Sequence, residues 1–248
     1  MTKKPRLAII MPFINTADYV IAAVKSIKTK EPYILILIDN GSNPDTVKSL
    51  DFLSNLPNTY YVRNEFNLGV AASWNHGIKI AKEVADIENF LIINSDILFQ
   101  DDCIDRLISV AKNDKYALVS ACDVAKECSS PNDIFGFDMP VKTYEVDRPN
   151  FSCFLINSAS FDRVGAFDEH FYPAYFEDND YHYRVKCLGL RAVMTSRAFF
   201  YHYGSRTIKS NETLSQVNSV SFLINEAYYI EKWGGKPGLE LFKVPFDR

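Results

Sequence analysis

Two stretches of this 248-residue chain concentrate side chains able to do chemistry. In "IINSDILF" an apolar run, residues 90–93, stops in the polar tripeptide Asn94-Ser95-Asp96 before apolar character returns. In "YFEDNDYHYRV" the carboxylates of Glu177, Asp178 and Asp180 are crowded together, with His182 one helical turn beyond Asp178. A carboxylate that ends a strand either closes a turn, because Asn, Ser and Asp bond to their own backbone, or faces a ligand beyond the sheet. Carboxylates at a helix start are favoured by the macrodipole and serve as caps. Crowding also raises their proton affinity, which opposes the dipole and suits proton transfer. "YHYGS" adds His202, an imidazole among aromatics that is either a hydrogen-bonded core group or a ligand.

These residues need a scaffold, and the chain alternates strand and helix patterns that supply one. Residues 7–11 are apolar and β-branched, and "NTADYVIAAVKSI" follows with Val20, Val24 and Ile27 at helical spacing and Thr16 as N-cap. Residues 34–38 form a strand buried on both faces, followed by the loop of Asp39 to Ser42. After a short strand at residues 60–62, the positions Ala71, Trp74, Ile78, Ala81 and Ala85 trace one helical face ahead of the strand at 90–93. A helix with Ile104, Leu107, Ile108 and Ala111 comes next, then an irregular or antiparallel stretch at 123–150 rich in Pro, Asp and Ser. A strand at 151–156, a short helix ended by Gly165, and a helix with Tyr181, Val185 and Leu188 as its stripe lead to a further strand. A last helix over 211–232 stops at "WGGKPG". Such alternation predicts a mostly parallel sheet with ligands beyond the carboxyl ends of its strands, where Asp39, Asn67 with Gly69, and Asp96 all fall.

Composition narrows the function. With 47% hydrophobic and 23% charged residues the chain is globular, and a net charge of -4 without a long basic block argues against binding nucleic acid through its phosphates. Five cysteines, at 103, 122, 128, 153 and 187, contain no CxxC pair and fit a reducing compartment. No run reaches membrane-spanning length, and the N-terminal run is broken by Pro12, so the expected location is the cytoplasm or the inner face of the membrane.

The ordered set "MPFIN", "LIDNGS", "NLGVAASWNHG", "INSDI", "VGAFDEHFY", "YFEDNDYHYRV" and "YHYGSRT" resembles the inverting family 2 glycosyltransferases, particularly rhamnosyltransferase-like members. The likeness runs over roughly residues 7–207, with "YYIEKWGG" beyond it. It implies an α/β GT-A fold, a Rossmann-like mostly parallel sheet flanked by helices with a smaller antiparallel part. That is one domain over 1–248, with a nucleotide-sugar half (1–100), an acceptor half (101–207) and a C-terminal helical extension (208–248) that covers the site or forms a homodimer contact. It also implies transfer of a hexose or deoxyhexose from a UDP-, dTDP- or GDP-linked donor to a hydroxyl of a glycan, lipid-linked glycan or protein.

By the same resemblance Asp96 and His202 hold a divalent cation, Mn2+ or Mg2+, while Asn94, where Asp is commoner, and Ser95 face the donor. Asp39 accepts a hydrogen bond from the nucleotide base. Pro12, Phe13, Asn67, Gly69 and Asn75 shape the nucleotide pocket. Asp178 is the catalytic base, with Asp180 the runner-up and Glu177 beside them. Trp74 stands where relatives carry Arg and is read as core, and Phe222, Tyr229 and Trp233 are read as packing in preference to a membrane contact. The rival readings are a sugar nucleotidyltransferase, which lacks its Gly-rich loop here, and a non-catalytic nucleotide-sugar or glycan-binding module, which Asn94 alone favours.

Overall fold

The apolar runs become strands buried on both faces, and their alternation shows which helix layer each residue meets. The computed structural model describes residues 4–113, 115–124, 145–204 and 212–246, except the side chains of 212–218. In β1 (Leu7–Phe13), Leu7, Ile9 and Met11 join one core cluster and Ala8 and Ile10 the other. The same division separates Leu35 and Leu37 from Ile34, Ile36 and Ile38 in β2 (Tyr33–Asp39), and Leu91 and Ile93 from Phe90 and Ile92 in β4 (Asn89–Ile93). Period-2 side-chain alternation with both faces covered is what turns a strand into a continuous apolar run.

With β3 (Thr59–Arg63), these strands form a parallel set ordered β3-β2-β1-β4. The sheet continues through β8 (Cys153–Asn157), antiparallel to β4, then β6 (Tyr116–Asp123), β9 (Arg191–His202) and β5 (Ile97–Phe99), with the short β7 (Glu145–Val146) on β9. Only β6 and β9 pair in parallel in this second part. The chain leaves β1 towards β2 and later returns to its other side at β4. This reversal of strand order opens a crevice at the carboxyl ends of β1 and β4, where Pro12-Phe13 and Asn94-Ser95-Asp96 lie.

One face is covered by α1 (Ala17–Ser26) and α4 (Cys103–Ala111), the other by α3 (Val70–Val84), α5 (Ser158–Val164) and α6 (Glu177–Cys187). Helix α3 lies so close to β1 that a Cβ on Gly77 would sit 2.3 Å from Ile10 Cγ2. The last helix, α7 (Glu212–Trp233), seats Tyr229 and Trp233 against Phe171 and Phe176, as packing, while Phe222 stays partly exposed against Tyr175 and Phe176. Among the described residues no helix is long and apolar enough to cross a membrane.

The structure departs from the sequence reading at three places. Thr16 begins α1 in a left-handed conformation without a side-chain cap bond. A helix, α2 (Pro44–Leu50), follows Asn43, whose side chain accepts the Thr46 N–H, a cap-and-proline signal just beyond the Asp39–Ser42 loop that the sequence reading left unassigned. Leu188 is exposed, because the helix ends beside it at Gly189 with φ +68, leaving Tyr181 and Val185 as the buried stripe. Most of the irregular 123–150 stretch, residues 125–144, lies outside the described residues, as does Asn211.

Candidate functional site

A cavity of about 660 Å³ opens at the carboxyl edge of the sheet. Pro12 and Phe13 from the end of β1, Asn94, Ser95 and Asp96 from the end of β4, and Asn67 and Gly69 before α3 line it. So do Glu177 and Asp178 from the first turn of α6, and His202 at the end of β9. Residues scattered over almost the whole described chain meet here because every one of them ends or begins an element at this edge.

Asp96 and His202 are brought together by the pairing of β5 with β9, which sets Ile97 opposite His202. Nε2 of His202 lies 3.1 Å from Oδ1 of Asp96, and its Nδ1 lies 4.0 Å from Oδ2 of Asp123 at the end of β6. Burial works against the charged imidazole, but the hydrogen bond and charge of Asp96 and the charge of Asp123 outweigh it and raise the His202 pKa. The Asp123 carboxyl is pushed up by burial. Neighbouring vertices of an octahedral site with ligands about 2.1 Å from a hard cation are about 3 Å apart, so the Asp96–His202 spacing fits two ligands of one ion. Among the described residues no three His, Cys, Asp or Glu side chains converge as a ligand set. Among the described residues, Asp96 and His202 are the pair held at this spacing. That suits Mg2+ or Mn2+ chemistry, in which substrate phosphates and water complete the sphere.

Glu177 and Asp178 form the second acidic feature. Glu177 is 6% exposed, and its Oε2 has no hydrogen-bond partner among the described residues. Burial first and the charge of Asp178 second raise its pKa well above the carboxylate range. Asp178 is partly exposed on the cavity wall and accepts the Asn179 N–H at 2.8 Å. Its pKa is also raised, by burial, against the lowering effect of backbone N–H bonds. Desolvation, rather than the predicted crowding of three carboxylates, is thus the chief cause. The chain enters α6 through Tyr175 and Phe176, at φ +79 and +72, with Phe176 as an N-cap that makes no side-chain bond. Two successive side-chain-bearing residues in the left-handed region cost about 1–3 kcal/mol each and persist only where surrounding structure imposes them.

Three predicted site residues are not brought to the cavity. Asp180 is fully buried, with Lys232 Nζ 2.7 Å, Trp233 Nε1 2.9 Å and Arg184 Nε 2.9 Å away, so it anchors α7 and does not line the cavity. Asn75 exchanges backbone hydrogen bonds with Phe167, donating to its carbonyl and accepting from its N–H, both at 2.9 Å, and so fixes the loop ahead of α6. Asp39 is fully buried behind the lining. Its oxygens accept the Ser42 N–H at 2.8 Å and the Tyr61 hydroxyl at 3.0 Å, which shape the loop carrying Asn40, a lining residue. His182 turns from Asp178 towards Asp147, 3.6 Å away. Trp74 is core as read, with its ring 4.8 Å from Phe167 and 5.2 Å from Phe154, and it also edges the cavity.

Sequence reasoning missed Asp123, Arg148, Tyr175 and Met194. Arg148 is the one Lys or Arg among the described lining residues. It sits in the polar approach to β8, where nothing in the local pattern marks it. Asp123 had a usable signal, a carboxylate directly after the apolar run of β6.

The family model described as glycosyl transferase family 2 matches residues 8–166. A galactofuranosyl glycosyltransferase of Leishmania donovani is 22% identical over 233 residues, covering 77% of this chain and 53% of that protein. The chain spans about half the length of the curated relatives it matches. The mannosyltransferase PcManGT from Pyrobaculum calidifontis, solved in complex with GDP-Man and Mn2+, superposes with a TM-score of 0.63 at 15% identity, covering 96% of this chain and 67% of that one. GalNAc-T7 with UDP, GalNAc and Mn2+ gives 0.68 at 15% identity, covering 94% and 49%. These likenesses show the GT-A fold expected from the sequence. They do not extend to the rhamnosyl specificity that the motifs suggested.

Proposed function

Because the chain belongs to glycosyl transferase family 2, we propose that it moves a hexose or deoxyhexose from a nucleotide-diphosphate sugar to a hydroxyl, with inversion at the anomeric carbon. The observation that carries this reading is the meeting of two acidic features in one cavity, the Asp96–His202 pair and the Glu177–Asp178 pair. Residues 1–100 supply the nucleotide-sugar side and 101–207 the acceptor side, against which Tyr229 and Trp233 of the C-terminal extension (208–248) pack. Among the described residues, Cys103, Cys122, Cys153 and Cys187 form no disulfide with one another.

The donor lies along Pro12, Phe13, Asn67 and Gly69 with its diphosphate towards Asp96 and His202, the residues that would hold a divalent cation. Support comes from their 3.1 Å spacing and from the Mn2+ in both structural neighbours. The chemistry supplied by such an ion is Lewis-acid stabilisation of charge on the departing diphosphate. The acceptor hydroxyl attacks the anomeric carbon from the side opposite the diphosphate. Its oxygen forms the new bond to that carbon, the old carbon–oxygen bond breaks, and the electron pair leaves with the nucleoside diphosphate. Asp178 takes the hydroxyl proton. A carboxylate whose proton affinity burial has raised is a better base than a solvated one. Glu177, whose burial and acidic neighbour favour the protonated form, offers in that form an O–H to a sugar or acceptor oxygen.

The test is a panel of UDP-, dTDP- and GDP-linked hexoses, read by thermal shift with and without Mn2+ and then by release of nucleoside diphosphate. One donor should stabilise the protein more strongly with Mn2+ and be cleaved. A panel in which no nucleotide sugar binds under either condition would overturn the proposal.

A further inference from the structure

The turn that delivers Asp178 to the cavity has a conformation its own residues do not favour. Tyr175 and Phe176 are both left-handed, where Gly or Asn would be at ease. The conformation must therefore be imposed from outside, and the contacts that impose it come from two sides. On the nucleotide side, the Val70 N–H donates to the Pro173 carbonyl at 2.8 Å and the Tyr172 hydroxyl to the Asn67 carbonyl at 3.2 Å. On the other side α7 packs Phe222 on Tyr175 and Phe176 and Tyr229 on Phe176, and it hydrogen-bonds the turn's carbonyls through Asn225. Nδ2 of Asn225, a residue 2% exposed, donates to the Ala174 carbonyl at 2.9 Å and makes longer bonds to Tyr175 O at 3.2 Å and Tyr172 O at 3.3 Å.

We propose that Asn225 is a positioning residue for the transfer reaction, setting the 172–176 turn and through it the place of Asp178 at the cavity wall. The inference rests on the reading of Asp178 as the base. Three carbonyls converging on one buried point need a neutral donor: without it they lose their bonds in a dry environment, and the turn relaxes towards the conformation its residues prefer. The docking of α7 does not depend on this contact. Lys232 and Trp233 hold the helix to Asp180, and Lys232 also pairs with Asp168. Loss of Asn225 should thus free the turn while the helix stays in place. The nucleotide side should be spared too, since the Gly69 N–H is held within its own loop by Asn67 Oδ1 at 2.9 Å.

Asn225→Asp keeps the shape but turns the donor towards an acceptor, and Asn225→Ser keeps a neutral donor that falls short of the carbonyls. Both are compared with the parent and with Asp178→Asn. The readouts are affinity for UDP and GDP in Mn2+, kcat and KM on the sugar nucleotide that the parent cleaves, and hydrogen exchange of the 174–178 amides. The expected result is nucleotide affinity within about twofold of the parent, faster exchange across the turn, and kcat lower by about 10²-fold, the loss that follows from misplacing a reacting group by about 1 Å. Parental kcat in both variants beside an inactive Asp178→Asn would overturn the role of Asn225 alone. Equal losses of nucleotide affinity and rate would reduce Asn225 to general stability and also overturn it. A parental rate in Asp178→Asn would remove the base reading, and Asn225 with it. Should Asn225→Asp fail to fold, the same outcomes apply to Asn225→Ser.

Discussion

Asp178→Asn separates catalysis from architecture more cleanly than any other single change. The Asp178 carboxylate accepts the Asn179 N–H at 2.8 Å, and an amide oxygen accepts that bond as well, since Asn and Asp serve almost equally at helix starts. Asn also removes a desolvated charge beside Glu177, whose own pKa that charge helps to raise. Stability should therefore stay within about 0.5 kcal/mol of the parent, the range of substitutions that break no named feature, or rise slightly. Catalysis should not survive so well. General-base assistance contributes about 10²–10⁴-fold, equivalent to about 2.7–5.4 kcal/mol at 1.36 kcal/mol per decade. The assay is initial-rate release of nucleoside diphosphate with acceptor present, run from pH 5 to 9 beside a calorimetric titration of the nucleotide with Mn2+. Only the deprotonated form is a base, and burial raises the pKa of Asp178, so the parent's rate should climb with pH through that raised value and then level off. The variant should bind nucleotide normally, run slowly and lose this limb. A variant as fast as the parent, with the same pH limb, would refute the assignment. Asp180 does not line the cavity, and Lys232, Trp233 and Arg184 already surround it.

Three further outcomes follow from the same geometry. Burial and the charge of Asp178 shift Glu177 towards its protonated form, so Glu177→Gln should keep transfer within about tenfold and leave the melting temperature at or above the parental value, since the isostere mimics the uncharged form; an inactive variant would show that the ionised form is needed. Asp96→Ala and His202→Ala should each weaken Mn2+-supported nucleotide binding by about 10–100-fold, the loss seen even for outer partners of metal ligands, and calorimetry at parental affinity would dissolve the site. The Asp168 carboxyl loses some ease of ionisation to burial, but Lys232 and the backbone and side chain of His170 more than restore it and hold its pKa well below normal. A depressed folded pKa gives stability that is present above the unfolded value, about 3.9, and is lost as pH falls below it. Asp168→Asn should thus cost about 1.5–3 kcal/mol in urea at pH 7, with the gap to the parent closing below about pH 4; a gap that stays constant down to pH 2 would exclude this linkage.

Elements whose identity depends on burial against both helix layers were readable from the chain, because two covered faces require an unbroken apolar run. Strands β1, β2 and β4 and the Ala71–Trp74–Ile78–Ala81 stripe of α3 belong to this class. The edge where they end was readable for the same reason, and with it Pro12, Asn67, Gly69, Asp96 and Glu177. The choice between Asp178 and Asp180 was not fully determined locally. Both sit on the first turn of one helix, and what distinguishes them is Trp233 and Lys232, more than fifty residues downstream. The burial of Asp39 was not legible either, since the Tyr61 hydroxyl that bonds it comes from the neighbouring strand and no periodicity reports a cross-strand hydrogen bond. Arg148 belongs to a polar connection, and such segments take their place from what they pack against.

The link from Asp180 to Trp233 has a consequence for how the protein is made. The carboxylate and its indole partner are 53 positions apart, and Asn225 meets the carbonyl of Ala174 across 51. A ribosome adds roughly 5–20 residues per second, so for several seconds α6 has left the ribosomal centre while its partners are still unmade. During that interval Asp180 has Arg184 of its own helix but neither Lys232 nor Trp233, and burying a charge short of its partners is disfavoured. The nascent sheet can form from its own apolar strands, but the acidic end of α6 has every reason to remain in water until α7 arrives. Competence therefore comes late in synthesis, and a message cut short between the two helices yields a chain with its parallel strands assembled and the start of α6 without its brace.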